Sequence, residues 1–330
     1  MELVTKKTLR IYSGRSHPGL ATDIAGHLGV PLGEANLQDF PNGENSCRFD
    51  ESVRGADVFI IQSHCCPVND SIMEQLVMVD AAKRASAKRI TAVCPLYGYA
   101  RQDRKAEGRE PIAAKLVADL LTAAGVSRML SVDLHSGQIQ GFFDKPVDHL
   151  TAMPVLLEYL RAECGGESGD ELGDLVVVAP DAGRVKVAER FSQHLGADLA
   201  FVHKRHVKGR ADEVEARGII GAVNGRRCVV IDDRVDTAGT IVAAADILAA
   251  NGATDVWAMA THAVLADAAV DRLKNSVISR VVVTDTVPVP PEKWLDKLTV
   301  LSVSRIIADA IDAVFEDTSV SEIFGGENQS

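Results

Sequence analysis

Cys228-Val229-Val230-Ile231-Asp232-Asp233-Arg234-Val235-Asp236-Thr237-Ala238-Gly239-Thr240 decides the fold. An apolar, β-branched run reads as a buried strand. It meets two adjacent carboxylates, then an Asp-Thr-Ala-Gly-Thr loop, and a helix opens near Thr240. A helix N-terminus presents unpaired backbone N–H groups and the positive end of a dipole, so a phosphate is favoured there. Asp232 and Asp233 stand at the carboxyl end of the strand, where α/β sheets bind their ligands. Ionised carboxylates accept hydrogen bonds only, which suits vicinal sugar hydroxyls. The plainer alternative is an acidic strand end with a capping threonine.

Outward from this segment, strand and helix patterns alternate. Strands are expected at Thr8–Ser13, Asp57–Ser63, Arg89–Pro95 and Arg128–Leu134, then Leu175–Pro180, Asp198–His203, Arg226–Asp232, Thr254–His262 and Ser279–Asp285. Helical windows include Ser71–Ser86, Pro111–Gly125, Pro154–Arg161, Arg184–Gly196, Gly239–Gly252, Ala266–Asn275 and Arg305–Phe315. The alternation predicts an α/β protein of mainly parallel sheets flanked by helices. Two related units are expected, 1–152 and 153–330, with the last helix free to pack on either. The acidic, Gly-rich Glu163–Asp174 reads as a surface loop, and the polar tail Gly325–Ser330 as frayed.

The 330 residues carry 35 Lys+Arg against 46 Asp+Glu, a net charge of −11, and 46% are apolar. That excludes a disordered chain and argues against a broad basic surface for duplex nucleic acid. No apolar run approaches the ~18–20 residues of a membrane helix, and Met1–Lys7 lacks an apolar signal core, so a cytoplasmic protein is expected. The six cysteines form no Cys-x-x-Cys pair and read as reduced thiols. Gly14-Arg15-Ser16-His17-Pro18-Gly19 is followed by Leu20 rather than lysine, so a Walker loop is not supported, and no Gly-x-Gly-x-x-Gly follows a strand.

Three further segments carry chemistry. Asp133-Leu134-His135, with Asp144 beyond, offers imidazole and carboxylates for a divalent metal, although a lone His is more often a satisfied polar residue. Tyr99–Arg109 sets Arg101, Arg104, Lys105 and Arg109 against Asp103 and Glu107, a grip for a triphosphate or else a solvated loop. His203–Arg210 holds Lys204, Arg205, Lys208 and Arg210 without an acid, and without the aromatics of a single-strand binder. Asp181 in Ala179-Pro180-Asp181-Ala182-Gly183 reads as a helix N-cap.

The Asp232–Thr240 segment resembles the phosphoribosyl-diphosphate loop of type I phosphoribosyltransferases. Asp133–Asp144, Phe40-Pro41-Asn42-Gly43-Glu44 and Tyr99–Lys105 resemble motifs of the ribose-phosphate pyrophosphokinases, and the likeness spans about Leu9 to Phe324. The resemblance implies two phosphoribosyltransferase-like domains and diphosphoryl transfer from Mg2+-ATP to D-ribose 5-phosphate. The product, 5-phospho-α-D-ribose 1-diphosphate, would serve nucleotide, histidine and tryptophan biosynthesis. It assigns Lys204 as catalytic, in a mobile loop. Phe40, Asn42, Gly43, Glu44, Arg101, Gln102, Arg104 and His135 become ATP-binding, with the Phe40 region reaching a neighbouring subunit. Asp232, Asp233, Asp236, Thr237, Ala238, Gly239, Thr240 and His206 bind ribose 5-phosphate. His135, Asp181 and Asp133 become Mg2+ ligands. His206 stands where the family usually has Arg, so Arg205, Lys208 or Arg210 could supply the second cation. A homohexamer regulated by phosphate and ADP is implied, with Ser319-Val320-Ser321 at the regulatory site or, equally, a plain Ser-rich turn. The rivals are a type I phosphoribosyltransferase and a non-catalytic synthetase-associated regulatory subunit.

Overall fold

The structure, a computed structural model, describes residues 7–165, 172, 174–206, 214–266 and 268–324, with the backbone alone at 204–206, 214–217 and 324. Most of the Glu163–Asp174 loop, Val207–Arg210 of the basic segment and the Gly325–Ser330 tail lie outside the described residues.

Continuous apolar runs form the central strands because both faces of each sheet are covered. In the first unit these are β1 (Leu9–Ser13), followed by α1 (Pro18–Leu28), β2 (Leu32–Gly33), β3 (Ala35–Asp39), β4 (Asn45–Phe49) and β5 (Asp57–Ile61). There follow α2 (Val68–Arg84), β6 (Arg89–Cys94), α3 (Ala113–Ala124), β7 (Arg128–Val132) and β8 (Val147–Leu150). The sheet order is β2-β1-β5-β6-β7-β8, all parallel, and β3–β4 form a separate antiparallel hairpin. Every residue of β5 is buried.

The second unit contains α4 (Met153–Cys164), β9 (Leu175–Ala179), α5 (Val185–Leu195), β10 (Asp198–His206), β11 (Val214–Ile220), β12 (Arg227–Val235) and α6 (Gly239–Ala250). It continues with β13 (Asp255–Ala263), α7 (Ala269–Lys274), β14 (Arg280–Thr284) and β15 (Leu298–Leu301). Its order is β11-β10-β9-β12-β13-β14-β15, and only the edge strand β11 is antiparallel. Without β11, this repeats the order of the first sheet. In each, the second strand lies to one side of the first and the rest build out on the other. The repeat is therefore topological, although no residue-level repeat is visible.

The chain divides into Met1–Thr151 with Thr286–Pro288 and Val303–Ser330, and Ala152–Asp285 with Val289–Ser302. The second unit thus does not run unbroken to 330. The last helix, α8 (Ser304–Phe315), belongs to the first unit, where it packs on α1 and Ser304 Oγ lies 3.1 Å from His27 Nε2. All six cysteines are free thiols. Among the described residues no helix is long and apolar enough to cross a membrane.

Candidate functional site

β9 and β12 are parallel neighbours, Val178 beside Val230, but β10 lies beyond β9 and β13 beyond β12. The chain leaves their carboxyl ends in opposite directions, which opens the crevice where α/β sheets hold ligands. Asp181–Arg184 follows β9, and Asp232–Thr240 closes β12 and enters α6. Ala238 is the N-cap of α6 at φ +61°, and no side chain caps the helix. The first-turn N–H groups are thereby open to an anion. Thr237, Gly239 and Thr240 are exposed, Asp236 is half-buried and Ala238 is buried. Arg272 Nη1 donates to the Thr237 carbonyl at 2.8 Å and the Ala266 N–H to that of Asp236 at 3.0 Å, which fixes the loop.

The two carboxylates are not equivalent. Asp233 is buried, whereas Asp232 is partly open. Arg184 spans both: its Nε lies 3.1 Å from Asp232 Oδ1 and its Nη2 2.7 Å from Asp233 Oδ1. Asp232 Oδ1 also accepts the Asp233 N–H at 2.8 Å, and Arg234 Nε donates to Asp233 Oδ2 at 3.3 Å. Burial first, and Asp233 second, push the Asp232 carboxyl up to about 7 despite Arg184. Asp181 caps the turn after β9, its Oδ1 accepting the Gly183 N–H at 2.9 Å.

In the first unit, Phe40–Glu44 is the tip of the β3–β4 hairpin. Asp39 pairs with Asn45, the Gly43 N–H donates to the Phe40 carbonyl at 2.8 Å, and the Glu44 N–H donates to Asn42 Oδ1 at 3.2 Å. Gly43 has φ +89°, which the turn requires of a glycine. Phe40 is 54% exposed. Arg15 anchors the hairpin base, its Nη1 and Nη2 donating to Asp39 at 2.8 and 2.6 Å and its Nε to buried Glu74. The hydrogen bonds from Arg15 pull the Asp39 carboxyl down to about 2.

Arg101, Asp103, Arg104, His135 and Ser136 line a cavity of about 360 Å³. Ser136 Oγ donates to Asp103 Oδ2 at 2.6 Å, joining the two loops. Asp133, at φ +39°, makes the turn that leads to His135, and the Leu134 N–H donates to His149 Nε2 at 2.8 Å. The structure therefore brings Arg101, Arg104 and His135 together. Neither Gln102, which is exposed, nor the Phe40–Glu44 tip lines that cavity.

Residues 9–125 match the family model described as the N-terminal domain of ribose phosphate pyrophosphokinase. Residues 218–325 match a model described as a phosphoribosyl synthetase-associated domain. A ribose-phosphate pyrophosphokinase of Streptomyces avermitilis is 54% identical over 319 residues, 97% of each chain. One of Bifidobacterium longum is 55% identical over 319 residues, covering 96% of this chain and 93% of its own. The crystal structure of phosphoribosylpyrophosphate synthetase from Mycobacterium smegmatis superimposes with a TM-score of 0.87 at 49% identity, over 94% of this chain and all of the other. The chain belongs to the ribose-phosphate pyrophosphokinase family.

Within this ribose-phosphate pyrophosphokinase fold, Lys204 and His206 lie in β10, which runs three residues past the expected end at His203. The antiparallel register with β11 shifts between His203 and Lys204, a bulge of the kind that re-aims a strand. The side chains of Lys204 and His206 lie outside the described residues. Ser319 and Ser321 are exposed and Val320 is buried, the latter opening the 3-10 turn Val320–Phe324.

Sequence reasoning passed over two residues. Arg184 directly follows the Ala179–Gly183 segment, but only the adjacency of β9 and β12 gives it the partners Asp232 and Asp233. His64 is buried behind the Tyr97–Arg101 loop, where Nδ1 accepts the Gly98 N–H at 3.0 Å and Nε2 donates to Gln75 Oε1 at 2.8 Å. Burial drives its pKa down to about 4, so it braces the loop as a neutral ring.

Proposed function

We propose that the chain transfers the β,γ-diphosphoryl group of ATP to the anomeric hydroxyl of D-ribose 5-phosphate. The O1–Pβ bond forms, the Pα–O–Pβ bridge breaks on the Pβ side, AMP leaves, and the hydroxyl proton passes to solvent. The carrying observation is the uncapped α6 N-terminus beside the Asp232–Asp233 pair, in a chain that matches ribose-phosphate pyrophosphokinases over nearly its whole length. The α6 N–H groups of Gly239 and Thr240, with Asp236, Thr237 and Ala238, receive the 5-phosphate. Asp232, backed by Asp233, accepts the ribose hydroxyls.

Transfer of this kind depends on positioning and charge stabilisation rather than on a nucleophilic side chain. Arg101 and Arg104 grip the triphosphate by their guanidinium forks. Gln102 assists, and Lys204 stabilises charge on the transferred group, with His206 near it in the same strand. ATP use implies a divalent metal, and we assign Mg2+. Among the described residues no three His, Cys, Asp or Glu side chains gather as a metal site, but His135 and Asp103 share a cavity with two arginines suited to phosphate, and Mg2+ takes few protein ligands beside substrate phosphates. His135 and Asp133 in the first unit, and separately Asp181 in the second, are the residues we assign to metal, which would neutralise triphosphate charge. The exposed Phe40, Asn42, Gly43 and Glu44 tip supports a nucleotide site completed by a second copy, in a homo-oligomer that we take to be a hexamer. Phosphate and ADP are proposed as effectors near Ser319-Val320-Ser321.

Purified protein with ATP, ribose 5-phosphate and Mg2+ should release AMP and the 1-diphosphate in equal amounts. Absence of both, with and without added phosphate, overturns the reading in favour of a regulatory subunit. Lys204→Ala should lower kcat by roughly 10²- to 10³-fold, the usual loss for one transition-state charge donor. Its folding should be little changed, and near-normal turnover would remove Lys204 from the reaction.

A further inference from the structure

Two adjacent carboxylates at the end of a buried strand repel one another and resist ionisation, yet a sugar site needs them as fixed acceptors. The compensation comes from the neighbouring strand. Asp181 caps the turn after β9, and three residues on, Arg184 is the N-cap residue of α5 with its side chain 13% exposed. Its Nε reaches Asp232 Oδ1 at 3.1 Å and its Nη2 reaches Asp233 Oδ1 at 2.7 Å. A planar guanidinium has its donors in a rigid fork, so one side chain sets the orientation of both carboxylates, which an ammonium could not do. Both Oδ1 atoms are thereby engaged, and Arg234 Nε takes Asp233 Oδ2 at 3.3 Å. The carboxylate that this arrangement leaves partly open, and so assigns to a ribose hydroxyl, is that of Asp232.

We infer that Arg184 is a positioning residue for ribose 5-phosphate, holding Asp232 and Asp233 aligned before the sugar arrives. The inference rests on the reading of Asp232 as a ribose acceptor. Arg184 acts through the sugar's acceptors, so its effect belongs to sugar binding and not to the chemical step.

Arg184→Met keeps the length and apolar stem but removes the fork. It should raise the KM for ribose 5-phosphate about tenfold to a hundredfold, the usual range for hydrogen bonds to charged groups. The KM for ATP should stay within about twofold, and titration calorimetry with ribose 5-phosphate alone should show the same weakening. Arg184→Lys, which restores charge without the fork, should fall between Met and the parent. If Arg184→Met folds poorly, Arg184→Lys alone still decides, since an unchanged KM for the sugar counts against the fork. Asp232→Asn separates the two claims. An unchanged sugar KM in that variant overturns the ribose reading itself. A raised sugar KM in Asp232→Asn with none in Arg184→Met overturns only the role of Arg184. The double variant Arg184→Met/Asp232→Asn should be no worse than the poorer single. Additive losses would show that Arg184 does not act through Asp232.

Discussion

Asp232 carries the pH dependence at the level of single residues. Its carboxyl is raised to about 7 by burial and by Asp233, against 3.8 for an ordinary aspartate. The native state therefore binds more protons than the unfolded one between about pH 4 and pH 7, and stability falls as pH rises through that window. The contribution of the protonated group is fully present below about pH 4 and is lost as pH passes about 7. Asp232→Asn removes this titration. The unfolding temperature of the variant should thus gain on that of the parent as pH rises from 5 to 8, by calorimetry at matched ionic strength. A constant difference across those pH values would contradict the raised carboxyl.

At the scale of elements, α6 is placed by strain at its first turn. Among the seven described non-glycine residues with positive φ, Tyr99, Arg109, Asp133 and Ala238 fall in the segments chosen for their chemistry, which ties that strain to function. Ala238 at φ +61° costs roughly 1–2 kcal/mol relative to a right-handed residue, and a β-branched side chain there costs more. Ala238→Gly should leave the unfolding temperature unchanged or raised. Ala238→Val should lower it by several degrees, because the site is also buried. Equal stability of the two variants would contradict the left-handed cap. The same element shows what the sequence makes legible. β9 and β12 are readable because strands buried on both faces are continuous apolar runs, and the loop into α6 because its residues carry phosphate chemistry. β3, Ala-Asn-Leu-Gln-Asp, escaped notice because its faces are half-exposed and its residues are poor strand formers. α1 escaped because it begins at Pro18, inside the Gly14–Gly19 segment whose glycines and proline read as a loop. Arg184 was illegible for a different reason: its partners lie about fifty positions away, and only strand order brings them near.

For the whole molecule, the two sheets repeat one strand order but carry different additions, a hairpin after β2 in the first and the β10–β11 extension in the second. The hairpin tip holds an aromatic ring in solvent on a base clamped by Arg15, Asp39 and Glu74. A tip that completes the nucleotide site of another copy makes each site depend on two subunits, and mixing variants tests that dependence directly. Phe40→Ala and Arg101→Ala should each have little activity alone. In an isologous pair formed at random from both, half of the pairs are hybrids, and each hybrid holds one site with neither substitution. Unfolding and refolding an equal mixture should therefore restore activity towards about one quarter of the parent value. Recovery no greater than the mean of the two separate variants would mean that each chain builds its nucleotide site alone.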